Sequence, residues 1–197
     1  MLKNTKVLYG IISVLLVICI LCGIHIVKNY SLLLETREHL LNSFAVNASE
    51  LYSWTEEILD PDTDEAAFVT AIARIKYCLD KMAERSEYLC PPYSVYNVLF
   101  FEEKYQYYIV ADWFSGYYTD IVLMERRYEE NGKLSEEDML WIETLHTATE
   151  ELLDELLGEN IDDEYILNVK NEYIKKDDLF SILCYNFNEK MEEVAIR

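Results

Sequence analysis

The sequence predicts an all-α protein in which a single N-terminal transmembrane helix continues into an antiparallel helical bundle of four to five long helices. Two observations lead to this fold class. Residues 7–27 contain no Asp, Glu, Lys or Arg. The rest of the chain carries apolar residues at helical spacing between a few Gly and Pro positions. The predicted parts are a short basic tail at 1–6, a membrane helix at 7–27 and an acidic bundle domain at 28–197.

The predicted membrane helix is long enough to cross a bilayer, because about 21 residues at roughly 1.5 Å each span about 30 Å. A cleaved signal peptide has a shorter apolar core and small residues at the cut site, whereas this run contains no alanine. Lys3 and Lys6 precede it and give a small excess of positive charge on the N-terminal side. We therefore expect a single-pass signal-anchor in the cell membrane, with a cytoplasmic N-terminus and an extracytoplasmic bundle domain.

The charge of the domain restricts its partners. All 37 acidic residues but only 15 of the 17 basic residues follow residue 27, so 15 minus 37 gives a formal charge of −22. Nucleic acid is excluded as a partner, and docking on anionic lipid is disfavoured. Beyond the membrane helix the cysteines are Cys78, Cys90 and Cys184, with no C-x-x-C pair. We expect buried thiols, with a link from Cys184 to either of the other two left open.

Proline and glycine divide the bundle domain into helical segments. Breaks at Pro61, Pro91-Pro92, Gly132 and Gly158 predict helices over 28–59, 63–90, 94–131, 135–157 and 161–194. Short connections between them predict antiparallel neighbours. The first segment is expected to continue the membrane helix, because Lys28 to Leu34 contain no Pro or Gly. Its apolar stripe includes two polar residues, Arg37 and Asn47.

The second and fifth segments show the clearest helical periodicity, with apolar positions at alternating spacings of four and three. In the second segment these positions are Phe68, Ile72, Ile75, Leu79, Met82, Ser86 and Leu89. In the fifth they are Ile166, Val169, Tyr173, Lys176, Phe180, Leu183, Phe187, Lys190 and Val194. The fourth segment begins with Ser135-Glu136-Glu137-Asp138, a capping box with Asp in the place of Glu.

The third segment is rich in aromatic residues and apolar nearly all round, which predicts a buried central helix contacted on several sides. Its rings are Tyr96, Phe100, Phe101, Tyr105, Tyr107, Tyr108, Trp113, Phe114, Tyr117 and Tyr118. Asp112 and Asp120 lie among them, so a pocket for a cationic or aromatic ligand is the alternative. Core packing, including that of Trp113 and Tyr117, is the preferred interpretation.

No catalytic, cofactor-binding or metal-binding residues are predicted, and the protein is not expected to be an enzyme. Glu143 and His146 match one Glu-x-x-His pair of a di-iron bundle, but no second pair exists among three His, so a surface pair is expected. The stretch 60–65 resembles the start of an EF-hand loop, but Glu65 stands where Gly is needed. An N-terminal cap by Asp62, with Glu65 reaching back, is predicted instead.

Residues 135–164 hold 12 acidic residues and no Lys or Arg, which indicates a solvated surface, with a docking face for a basic partner or loose divalent-cation binding outside the cell as alternatives. The first function class is therefore an interaction, scaffold or accessory subunit bound to another protein through this surface. The helix pattern also resembles the extracytoplasmic sensor bundles of bacterial receptors, without their second membrane helix. That resemblance rests on no motif residues. It implies the second class, a ligand-binding module with a pocket beside the aromatic third helix.

Overall fold

A computed structural model describes residues 2–90, 109–157 and 168–195 of the chain. Over these ranges it contains six helices and no strand: α1 (Leu2–Leu59), α2 (Glu65–Leu89), α3 (Ile109–Asn131), α4 (Glu136–Leu156), α5 (Asn171–Lys175) and α6 (Asp177–Ala195). A single isolated antiparallel bridge joins Leu157 to Val169. The all-helical prediction is confirmed for the part of the chain that the structure describes.

The chain divides into two compact units, Met1–Arg37 and Glu38–Arg197. In the first unit, the large apolar side chains from Leu15 to Val27 are between 49% and 69% exposed. Among the described residues one helix, α1, is long and apolar enough to cross a membrane, with a mean hydropathy of 1.9 in its most apolar window. Residues 28–34 are helical, so the prediction of an unbroken helix through this stretch is confirmed.

The second unit is a helical bundle in which neighbouring helices run in opposite directions. Residues later in α1 contact residues earlier in α2: Ser43 contacts Arg85, Glu50 contacts Cys78, and Trp54 contacts Arg74. The same reversal relates α2 to α3, where Phe68 stacks on Tyr128 and Lys76 pairs with Glu125. The next pair, α3 and α4, is also antiparallel, with contacts of Tyr117 to Trp141 and Arg127 to Asp138.

The predicted stripe of α2 forms part of the core, and all seven of its residues are buried. Ser86 fits among apolar neighbours because its hydroxyl donates to the Met82 carbonyl at 2.7 Å. The predicted cap was displaced by two residues. Asp64, not Asp62, caps α2 and accepts from the Ala67 amide at 2.8 Å. Asp62 lies in the preceding turn, where its amide donates to Asp60 Oδ1.

The prediction that the third segment lacks a polar face is wrong for its described part. In α3, Val110, Phe114, Tyr117, Ile121 and Met124 are buried, whereas polar positions such as Asp112, Ser115 and Arg126 are exposed. The helix therefore has one buried apolar face and one exposed polar face. It does contact several helices, through Phe114 with Phe44 of α1 and Phe187 of α6. The predicted rings from Tyr96 to Tyr108 lie outside the described residues.

The single helix predicted over 161–194 is also wrong, because its described part is interrupted twice. Near Val169 the backbone is bridged to the end of α4, and the Lys170 amide donates to the Leu156 carbonyl at 3.0 Å. Lys176 then ends α5 with extended angles, φ −122° and ψ 114°. Four residues of the predicted stripe are nevertheless buried: Tyr173, Phe180, Leu183 and Phe187.

Candidate interaction surface

Helix α4 begins with the capping box that the sequence predicts. The Ser135 hydroxyl accepts from the Asp138 amide at 3.1 Å, and the Asp138 carboxylate accepts from the Ser135 amide at 3.2 Å. Three acidic residues occupy the first turn, where the partial positive charge of the helix N-terminus stabilises them. This start fixes which side of α4 is buried, with Trp141, Ile142, Leu145 and Leu152 toward the core.

One exposed side of α4 and the adjoining part of α1 carry carboxylates that form no ion pair with a described Lys or Arg. We call this surface the acidic face and define it by Glu136, Glu143, Glu150 and Asp154 of α4 together with Glu56 of α1, all exposed. The four α4 positions are seven, seven and four residues apart, so they follow one side of a helix. Among the described residues, no Lys or Arg nitrogen lies within ion-pair distance of these carboxylates.

Two cations near α4 pair with other acids. Arg127 of α3 makes an ion pair and hydrogen bonds to Asp138, whose side chain is only 3% exposed. Lys190 of α6 pairs with Glu151. Burial opposes ionisation of Asp138, but the hydrogen bonds from Arg127 and Ser135 outweigh it and hold the pKa of Asp138 below its usual range. These pairs compensate neighbouring acids. The Lys170 ammonium adjoins the acidic face but donates to the Asp154 backbone carbonyl, at 3.1 Å, and forms no ion pair with its carboxylates in the described part of the chain.

A small polar seam between α1 and α4 borders the acidic face. The His146 ring stacks on Tyr52 with centroids 4.3 Å apart, and His146 Nδ1 lies 3.0 Å from Thr55 Oγ1. The Thr55 hydroxyl also lies 2.8 Å from the backbone carbonyl of Tyr52 in its own helix. Burial and the carboxylates of Glu150, Glu56 and Asp154 raise the pKa of Tyr52.

This seam corrects the expectation of a surface Glu143–His146 pair. His146 is half-buried and bonded across to α1, whereas Glu143 is exposed. Over residues 2–90, 109–157 and 168–195, no group of three or more His, Cys, Asp or Glu is arranged to hold a metal ion. The stretch 60–65 forms a turn and a helix cap. Sequence reasoning missed the seam, because nothing in the spacing of Thr55 and His146 relates them.

The aromatic residues of α3 pack against other rings. Phe114 is 1% exposed and lies 5.5 Å from Phe187, 5.7 Å from Phe44 and 6.1 Å from Tyr117, measured between ring centroids. The Tyr117 hydroxyl donates to Asn188 Oδ1 at 2.5 Å. Burial, followed by the charges of Glu192 and Asp120, raises the pKa of Tyr117 far above its usual range. These residues behave as core with one satisfied hydroxyl.

The two acids and the tryptophan that suggested a ligand pocket lie at the margin of this aromatic core. Asp112 is exposed and Asp120 is half-buried, and burial raises the pKa of Asp120. Trp113 is half-buried and meets the Tyr185 ring edge-on at 6.2 Å. Trp113 is therefore less buried than the core-packing interpretation expected, whereas Tyr117 fits it, with 8% exposure.

No protein-family model matches the chain, and comparison with curated proteins and with solved structures gives no match. The function proposed below therefore rests on the residues of this chain alone.

Proposed function

We propose that this protein is a membrane-anchored scaffold or accessory subunit whose bundle domain presents the acidic face to a basic protein partner. Residues 7–27 serve as a single-pass signal-anchor in the cell membrane. Lys3 and Lys6 favour a cytoplasmic N-terminus, so the bundle would extend outside the cytoplasm. The exposed apolar side chains between Leu15 and Val27 support the anchor, because water is an unfavourable environment for so long an apolar surface.

The observation that carries the proposal is that, among the described residues, no Lys or Arg forms an ion pair with a carboxylate of the acidic face. Like charges held on one surface repel one another and reduce the stability of the folded state. Surface ion pairs contribute little to stability in any case, so folding alone gives no reason for this arrangement. A partner with Lys and Arg at matching positions would remove the repulsion and would be attracted over a distance, which accelerates association.

No catalytic role is proposed, and the alternative of a ligand-binding module has less support. That alternative requires open space beside the aromatic helix. Phe114 and Tyr117 are instead surrounded by rings from α1, α4 and α6 at ordinary packing distances. A ligand-binding role would therefore need a pocket, and the aromatic rings of α3 that the structure describes do not form one.

Carboxyl-to-amine cross-linking tests the proposal directly, because a carbodiimide joins a carboxylate to a lysine amine only where the two are in contact. The tagged full chain is expressed in its native membranes, cross-linked and analysed by mass spectrometry. We expect cross-links from acidic-face residues to Lys residues of one partner protein. The partner's docking surface should be basic.

A variant with four acidic-face carboxylates neutralised, compared with a matched control, shows whether the partner binds through the acidic face. The variant replaces four acidic-face residues by their amides: Glu56→Gln, Glu143→Gln, Glu150→Gln and Asp154→Asn. The control neutralises four exposed carboxylates elsewhere: Glu87→Gln, Glu129→Gln, Glu130→Gln and Glu193→Gln. The first variant should lose the partner and the second should keep it. Equal recovery of the partner with both variants would refute docking through the acidic face.

A further inference from the structure

Two buried cysteines from distant parts of the chain lie near one another, one at the end of α2 and one in α6. Cys90 is the residue that follows α2 and is 2% exposed; Cys184 lies in α6 and is 0% exposed. The Cys90 Sγ atom lies 3.3 Å from the Ser181 Oγ atom. Ser181 precedes Cys184 by three residues on the same helix, so the two side chains are neighbours on one face, with Cβ atoms about 5 to 6 Å apart.

The electrostatics agree with this proximity. Burial raises the pKa of Cys184 well above its usual range, and the nearby Cys90 thiol raises it further. Cys78 belongs to a different environment. It lies three turns earlier on α2, about 18 Å from Cys90 along the helix axis, and its thiol faces Glu50 of α1 at 3.9 Å. Of the three thiols in the bundle, the fold therefore pairs Cys90 with Cys184.

We propose that Cys90 and Cys184 are a disulfide site, whose bond joins the end of α2 to the middle of α6. In a test tube, which thiols become linked depends on the fold and not on the orientation in the membrane. Bond formation in the cell rests in addition on the proposed outward orientation, since disulfides persist in oxidising compartments and are rare in the cytosol. The structure shows both residues as thiols.

The chemistry is two successive thiol–disulfide exchanges with a small disulfide such as oxidised glutathione. The Cys90 thiolate attacks one sulfur of the reagent, forms a mixed disulfide and releases one glutathione thiolate. The Cys184 thiolate then attacks the Cys90 sulfur, forms the protein disulfide and releases the second glutathione. The two protein thiols lose two protons and two electrons, and the reagent takes up both electrons as it becomes two thiols.

The bond is expected to form during folding, before the core closes. In the folded protein both sulfur atoms are shielded from solvent, and the raised pKa of Cys184 keeps it protonated and unreactive. In a partly unfolded chain both thiols are solvated and titrate normally. Oxidised glutathione should therefore link them quickly in moderate urea and slowly in buffer. Once the protein has refolded, burial should protect the bond against mild reductants.

The test uses the purified full chain in detergent, oxidised in moderate urea at low protein concentration and refolded. We expect an intact mass lower by about 2 Da, a peptide map that joins Cys90 to Cys184, and no change of linkage in Cys78→Ser. The bond closes a loop of roughly 95 residues, so removing it with a strong reductant should lower the melting temperature by on the order of 10 °C. The peptide map of the natural chain keeps the test decisive even if Cys90→Ser or Cys184→Ser folds poorly.

Two results would overturn the proposal. A chain that stays fully reduced under these conditions would show that the two sulfur atoms cannot meet, and a dominant link from Cys78 would show that the pairing is wrong. Alkylation of thiols in intact cells tests the cellular part. If the bond forms with glutathione in the test tube but both residues are alkylated in freshly lysed cells, the orientation is wrong and the fold-based pairing stands.

Discussion

Truncation of one ring on α3 distinguishes a packed core from a ligand pocket. Phe114 is 1% exposed and has ring partners on three sides: Phe44, Tyr117 and Phe187. Phe114→Ala would remove a buried ring and leave a cavity that these neighbours fill only partly. Substitutions of this kind cost about 3 to 5 kcal/mol, a large part of a total stability of about 5 to 15 kcal/mol.

The assay is a urea titration of residues 28–197, followed by circular dichroism. With a slope of about 2 kcal/mol per molar urea, the loss corresponds to a midpoint lower by about 1.5 to 2.5 M. Tyr118→Ala is the matched control, because Tyr118 is an aromatic residue one turn later on the same helix but is 39% exposed. It should change the free energy of unfolding by less than about 1 kcal/mol.

A third variant, Leu79→Ala, gives the scale for an undisputed core position, since Leu79 of α2 is 0% exposed. We expect Phe114→Ala and Leu79→Ala to show losses of similar size. If Phe114→Ala were nearly neutral while Leu79→Ala was costly, the space around the ring would already be open. The ligand-binding function class would then replace the scaffold as the leading hypothesis.

Three further predictions concern fold and charge. Residues 28–197 expressed alone should give a helical circular dichroism spectrum, and substantial strand signal would refute the fold. Moderate salt should raise the melting temperature of this fragment by screening its self-repulsion; indifference to salt would mean that its acids are compensated locally. Asp138→Asn should cost about 1.5 to 3 kcal/mol by weakening charged hydrogen bonds, while Glu136→Gln stays within about 0.5 kcal/mol. The pKa of Asp138 is lowered in the folded protein. The ionised Asp138 side chain therefore stabilises the fold fully above about pH 4, and this stabilisation is lost as the pH falls through the folded pKa. A difference in stability between wild type and Asp138→Asn that persisted at low pH would contradict this.

Helical periodicity predicted which side chains are buried better than it predicted where helices end. The second segment succeeded in both respects, because Pro and Asp residues precede it and its seven stripe positions all face the core. In the fifth segment the stripe positions Tyr173 and Phe180 are buried, yet Lys176 between them is extended. The spacing of buried residues does not record a local change of backbone direction, so the break had no signal in the pattern.

The sequence predicted the type of hydrogen bond that polar residues make within a helix end. It did not predict hydrogen bonds between residues on different helices. The capping box of α4 needed only Ser135 and Asp138 at the correct spacing. For α2 the sequence analysis placed the cap at Asp62, whereas Asp62 lies in the turn after Pro61 and Asp64 caps the helix. The contact of His146 with α1 joins residues 91 positions apart, and no local rule places it.

The acidic face was foreseen only in part. The run of acids after Ser135 indicated a charged surface, but composition could not separate compensated from uncompensated carboxylates. That distinction depends on which cations the fold brings near α4. Arg127 and Lys190 lie on other helices and pair with Asp138 and Glu151, so among the described residues no ion pair forms with the carboxylates of the acidic face.

Protease added to intact cells tests the central claim, a membrane-anchored bundle on the outside of the cell, most directly. The account predicts that the protease removes the bundle domain and leaves a short membrane-embedded fragment containing residues 7–27. A cytoplasmic marker protein should stay intact in the same sample. A full-length chain that resists digestion until the cells are lysed would place the bundle in the cytoplasm and contradict the account.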